Sequence, residues 1–172
     1  LPLNLCLVID RSSSMRGDRL NQVKDAASRI IDQLGQDDYF SLVVFNDRAD
    51  VVVPAQRVTS KADLKVAAGR VEAAGGTEMA NGMGLALQEV QRPMLARGIS
   101  RILLLTDGRT YGDESRCVDI ARRAQGRLTS IDDVRDALPP AAVQALRDYA
   151  LTRVGDDDTD DDSAQALRKR AQ

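Results

Sequence analysis

The run "LNLCLVI", residues 3–9, constrains the fold more than any other stretch. It is almost continuously apolar, so no polar face is left for water. A strand of that kind has to be covered on both sides, which is the situation of an inner strand in a parallel sheet flanked by helices. It ends on Asp10, and three serines follow at 12, 13 and 14. The rest of the chain has to supply the neighbouring strands and the covering helices.

It does so in alternation. Gly17-Asp18 opens a helix whose Leu20, Val23, Ala27, Ile30, Ile31 and Leu34 form one stripe, with Gly35 at the expected stop. Tyr39–Phe45 reads as a second apolar strand. Residues 51–53 read as a short third, ended or confined to an edge by Pro54. Ser60 is placed to cap a helix over 61–71. A glycine-punctuated loop covers 73–84, and a helix follows to about Leu95, with Met83, Leu87, Val90 and Met94 on one face. Residues 102–105 make the next strand, "TDGRTYGD" a loop, and 115–125 a helix. Strands alternating with helices predict an α/β, Rossmann-like three-layer domain around a mostly parallel central sheet. In such sheets ligands bind beyond the carboxyl ends of the strands. Asp10 and Asp107 both stand there.

From Arg127 the alternation stops. Two helical pieces split by Pro139-Pro140 precede the acidic run "DDDTDDD" at 156–162. The predicted organisation is a domain over 1–126 and a helical, acidic tail over 127–172. The tail holds ten acids and seven bases, a net of −3 against +1 for the remainder, so the chain's acidity belongs to the tail. The acidic run lacks the spaced ligands and closing Glu of an EF-hand loop and reads as a solvated linker.

Composition then removes function classes. Aromatics are 3% and Trp is absent, so the core is aliphatic and base-stacking platforms are not expected. The slight negative charge gives no general attraction to nucleic acid or anionic lipid. No apolar stretch is long enough to span a membrane and no secretory signal is visible, so a cytoplasmic location is expected. Histidine is absent, which removes imidazole acid–base catalysis and most zinc sites. Cys6 and Cys117 read as buried thiols. There is no G-x-x-x-x-G-K-[ST] loop and no G-x-S-x-G elbow, and Gly82-x-Gly84 has Leu87 where a dinucleotide loop needs its third glycine. Close helix packing or loop flexibility explains that glycine pair better. A strand-end Asp phosphatase would want a second acid where Ser12 stands.

Three oxygen-bearing loops remain: "DRSSSM" at 10–15, "GGTEMANGMG" at 75–84 and "LLLTDG" at 103–108. Carboxylate and hydroxyl oxygens are hard donors that suit Mg²⁺, Mn²⁺ or Ca²⁺. The plain alternative for the first loop is that its hydroxyls cap the following helix. The three motifs together, in this order and spacing, resemble the von Willebrand factor A domain of bacterial type, over residues 1–126. That family carries a metal-ion-dependent adhesion site built from Asp-x-Ser-x-Ser, a separate Thr and an Asp in a Thr-Asp-Gly loop.

The resemblance implies a divalent cation at the end of the sheet. Ser12, Ser14 and, depending on state, Thr77 would be direct ligands, and Asp10 and Asp107 would act largely through water. Ser13 stands where the family usually has Gly, and Glu78 reads as solvated. Neutral hydroxyls would hold the ion without quenching it, so that a protein partner's Asp or Glu carboxylate could replace a water. The expected activity is binding, not catalysis. An alternative reading is a non-catalytic subunit beside a separate ATPase, in a chelatase-like complex. The likeness breaks after residue 125, where the family supplies another strand and this chain has "GRLTSIDDVRD". Residues 128–131 could be at most a very short edge strand, and the tail is a candidate cover for the sheet edge.

Overall fold

The structure, a computed structural model, describes residues 1–93, 98–106 and 113–123. Four strands form one sheet in the order β3-β2-β1-β4. β1 (Leu3–Asp10) is parallel to β2 (Tyr39–Phe45) on one side and to β4 (Ile99–Leu105) on the other, while β3 (Ala49–Arg57) runs antiparallel to β2 at the edge. The mostly parallel sheet is as expected.

The two-sided burial of β1 follows from its composition: every residue from Asn4 to Asp10 is buried. Leu5, Leu7 and Ile9 pack in one cluster with α1 (Asp18–Gln33) and α2 (Lys61–Gly69). Cys6 and Val8, pointing the other way along the pleat, pack with α3 (Met79–Gln91) and α4 (Glu114–Arg123). Both cysteines are buried thiols, as their sequence context predicts.

Two elements differ from expectation. β3 spans nine residues rather than three and runs through Pro54. An edge strand tolerates a missing donor, and the pairing with β2 shifts register between Phe40 and Val43 to absorb it. The next donor, Ala55 N–H, is taken at 2.9 Å by the buried carboxylate of Glu89 on α3. α3 itself begins at Met79, inside the segment expected to be loop, and ends at Gln91 rather than near Leu95. Gly82 therefore lies within a helix, and a Cβ there would fall 2.6 Å from Phe45 Cδ1. The glycine lets α3 seat against β2, which is the close-packing explanation in physical form.

Smaller differences are at ends. β4 begins at Ile99 rather than 102, and α2 stops at Gly69 rather than 71. Ser60 caps α2, accepting from Asp63 N–H at 3.4 Å. Asp107, Met94, the 128–131 segment and the tail over 127–172 lie outside the described residues.

Candidate metal centre

β1 feeds α1 and β2 on one side, and the chain returns through α3 to β4 on the other side of β1. The sheet therefore has its topological switch between β1 and β4, where the strand ends leave a crevice. Asp10 ends β1 at that point and Thr106 directly follows β4. Thr106 Oγ1 donates to Asp10 Oδ2 at 2.7 Å, and Ser12 N–H donates to Asp10 Oδ1 at 2.8 Å. Asp10 is fully buried, so both of its oxygens are held in fixed directions. Burying a carboxylate is costly unless hydrogen bonds or a cation compensate it.

The serines do not continue the strand. Ser12 keeps an extended backbone, and Ser13–Met15 then close a 3₁₀ turn, with Met15 N–H bonded to Ser12 C=O at 2.9 Å. The hydroxyls of Ser13 and Ser14 therefore project from a tight turn rather than from the end of the strand. The turn folds Ser14 back so that Ser12 Oγ and Ser14 Oγ are 3.0 Å apart. Ser12 is buried and Ser14 exposed, so the pair spans the surface.

Thr77 is brought to the same end by backbone bonds between loops. Ser13 N–H donates to Gly75 C=O at 3.0 Å, and Ala74 N–H donates to Arg11 C=O at 2.8 Å. The β2–β3 turn braces them: Asn46 Nδ2 donates to Ala74 C=O at 2.9 Å, Asp47 Oδ1 accepts from Gly76 N–H at 2.8 Å, and Asn46 C=O accepts from Glu78 N–H at 2.8 Å. Gly75 has φ +79°, and a Cβ there would meet Asp47 Oδ2 at 2.6 Å, so the close approach of the loops requires glycine. Thr77 is nearly buried two residues on. Glu78 is exposed, accepting from Asn81 Nδ2 at 2.9 Å.

Of the five residues singled out from sequence, Asp10, Ser12 and Ser14 are in one cluster and Thr77 sits on the loop laced to it. Asp107 is outside the described residues. Sequence reasoning missed Thr106, Asn46, Asp47 and Asp113. The Asp113 carboxylate, buried ahead of α4, accepts from Ala80 N–H at 2.7 Å and so caps α3 directly after Thr77. Only Thr106, inside the Thr-Asp-Gly triplet, carried a sequence signal.

The donor set fits a hard divalent cation. Mg²⁺ holds oxygens at about 2.1 Å in octahedral order, which puts adjacent ligands about 3.0 Å apart. The two serine hydroxyls, hydrogen-bonded to each other at 3.0 Å, already stand at that separation. Among the described residues no group of three or more acidic, Cys or His side chains is gathered, so zinc- or EF-hand-type clusters find no support there.

Comparison with known proteins agrees with this fold. The family model of the von Willebrand factor type A domain matches residues 4–169. An uncharacterized protein of Synechocystis sp., sll0103, is 44% identical over 121 residues, covering 70% of this chain and 29% of that protein. The chain spans less than a third of the length of the curated relatives it matches first. Among solved structures, a von Willebrand factor type A protein from Catenulispora acidiphila superposes with TM-score 0.65 at 24% identity, covering 88% of this chain and 42% of that one, and shows the fold. Proximal thread matrix protein 1 of the mussel byssus, solved with zinc in its metal-ion-dependent adhesion site, is 27% identical with TM-score 0.60. It covers 74% of this chain and 34% of its own.

Proposed function

The chain belongs to the von Willebrand factor type A domain family, and on that premise we propose that it is a cation-dependent protein-binding module. Its site holds a divalent cation, Mg²⁺ or Mn²⁺ in the first place, among Asp10, Ser12, Ser14, Thr77 and Asp107. The observation that carries this reading is the pair of serine hydroxyls 3.0 Å apart beside the buried Asp10. A relative of the same fold with zinc in the corresponding type of site supports it.

Bound there, the cation supplies a positive centre that accepts a partner's Asp or Glu oxygen in place of water. Ser12 and Ser14 contribute neutral oxygens, which leave the ion's charge largely uncompensated. Asp10, held by Thr106 and the Ser12 amide, orients rather than neutralises. Arg11, Ala74 and Gly75 keep the serine and threonine loops in register through their backbones. The role is recognition rather than catalysis, consistent with a chain that has no histidine.

Calorimetric titration of the metal-stripped chain with Mg²⁺ and Mn²⁺ tests the reading. Saturable one-site binding that disappears in Asp10→Ala, with the fold retained by circular dichroism, is expected. An acidic peptide library captured with Mn²⁺ and released by chelator is expected in parallel. Heats that do not saturate for either cation would overturn the assignment.

A further inference from the structure

A second feature lies on the other side of the same loops. A cleft of about 330 Å³ opens between α2 and the edge strand β3, with Arg11 among its lining residues. Arg11 follows Asp10 in the chain, where the pleat turns its side chain toward the α1–α2 face with Leu5, Leu7 and Ile9. Its backbone is fixed at both ends, N–H on Phe45 C=O and C=O under Ala74 N–H. Its Nε is shut away from solvent with no hydrogen-bond partner among the described residues. Its ion pair is with Asp50 at 3.8 Å, beyond hydrogen-bond range, and the Asp50 side chain is 64% exposed against 26% for Arg11. A guanidinium with five donors in a rigid fork is thus anchored and barely used. Arg70 lines the same cavity and forms no ion pair among the described residues.

The remaining walls are aliphatic: Val44, Val52, Ala67 and Val71. Val52 stands 40% exposed beside the buried Val53. Two guanidinium groups over a valine-lined floor suit an anion with an apolar body. The planar fork favours a carboxylate, taken by two parallel N–H···O bonds. Asp50 and Glu72 line the same cleft and set the limit on that attraction, and Asp50 is the internal competitor for Arg11.

We propose that this cleft is a binding site for an aliphatic carboxylate, separate from the cation centre. The ligand chemistry is a branched aliphatic group carrying a carboxylate, as in a small free acid or the C-terminal residue of a peptide ending in Leu, Ile or Val. The site needs no metal and stands whether or not the cation is bound.

The test is a titration in excess EDTA, read by ¹H–¹⁵N chemical shifts. The probes are N-acetyl-leucine, its neutral amide and the tripeptide acetyl-Gly-Gly-Leu. Saturable shifts at residues 11, 50–52 and 67–72 are expected with the acids and not with the amide. Tighter binding of the tripeptide identifies a peptide terminus and equal binding a small acid; either ranking supports the site. Arg70→Gln is expected to weaken binding about tenfold. Asp50→Asn is expected to strengthen it severalfold, a gain that damage to the fold would not produce. Equal binding of acid and amide, shifts confined to other residues, or no saturation with any probe would overturn the proposal. Because EDTA removes the cation, a failure here leaves the cation reading standing.

Discussion

The middle of the sheet and its loop end are held by different forces. In the middle, Leu5, Leu7, Ile9, Leu42 and Leu103 are closed off from water and packed on aliphatic helix faces. At the loop end, Asp10, Asn46, Asp47 and Asp113 hold backbone and hydroxyl groups by directed hydrogen bonds. Burial is strong and non-directional; it fixes that the strands are together. Hydrogen bonds are individually weak but angular; they fix where a few oxygens point. The domain thus separates stability from site geometry, and substitutions in the two regions should move different observables.

The largest effect belongs to the middle. Leu7→Ala deletes a fully buried side chain in the central strand. A loss of about 3 kcal/mol in unfolding free energy is expected, within the usual range for such cavities. Measured by urea denaturation, it should leave cation affinity within about twofold under native conditions, because no loop hydrogen bond is touched. A large fall in affinity would show that the two regions are not separable.

Asp10→Asn is the converse. The amide oxygen can still accept one of the two hydrogen bonds now made to the carboxylate, so folding should survive. Cation binding by calorimetry is expected to fall at least thirtyfold, about 2 kcal/mol. Unfolding free energy should move by less than about 1 kcal/mol. If stability fell and affinity held, Asp10 would be a structural residue of the strand end.

Cys6 probes the middle through pH. Burial pushes its thiol from the ordinary 9.0 up to about 12, eased slightly by the Ser41 hydroxyl nearby and raised further by the Glu89 charge. Above pH 9 the unfolded chain's thiol gives up its proton while the folded one keeps it. The unfolded state then binds fewer protons, so stability is intact below pH 9 and falls through the window toward pH 12. The expected slope from this group is about 1 kcal/mol per pH unit. Cys6→Ala should be less stable at neutral pH and lack this part of the alkaline decline. Identical pH slopes for both chains would mean that the thiol is hydrated in the folded state.

The same contrast decides what was legible in the sequence. The strands of the middle announce themselves, because a run such as "LNLCLVI" has one physical outcome. Asp10, Ser12, Ser14 and Thr77 were visible because the chemistry sits in compact motifs. The braces were not. Asn46 and Asp47 look like ordinary turn residues, and their bonds reach 28 and 29 residues along the chain. The extent of β3 was hidden because Pro54 reads as a stop, and only the contact from Glu89, 34 residues away, makes its neighbour's amide acceptable there. The start of α3 was hidden because glycines mark loops in sequence, whereas Gly82 is set by the bulk of Phe45 across the interface.

The smallest effect tests the subtlest brace. Asp113 reaches across from the start of α4 to cap α3 at Ala80, two residues past Glu78 and three past Thr77. Removing a cap of this kind costs about 1 kcal/mol. Asp113→Ala should therefore lower the unfolding free energy by that amount. It should also loosen the turn carrying Thr77, weakening cation binding a few-fold. Asp113→Asn keeps an acceptor at the same place and should recover most of both losses, although it gives up the favourable charge at the helix N-terminus. Recovery of stability without recovery of affinity would show that the carboxylate's charge, not its capping bond, acts on the site. Recovery of both places Asp113 among the directed bonds that aim the loop end, at no contact with the cation itself.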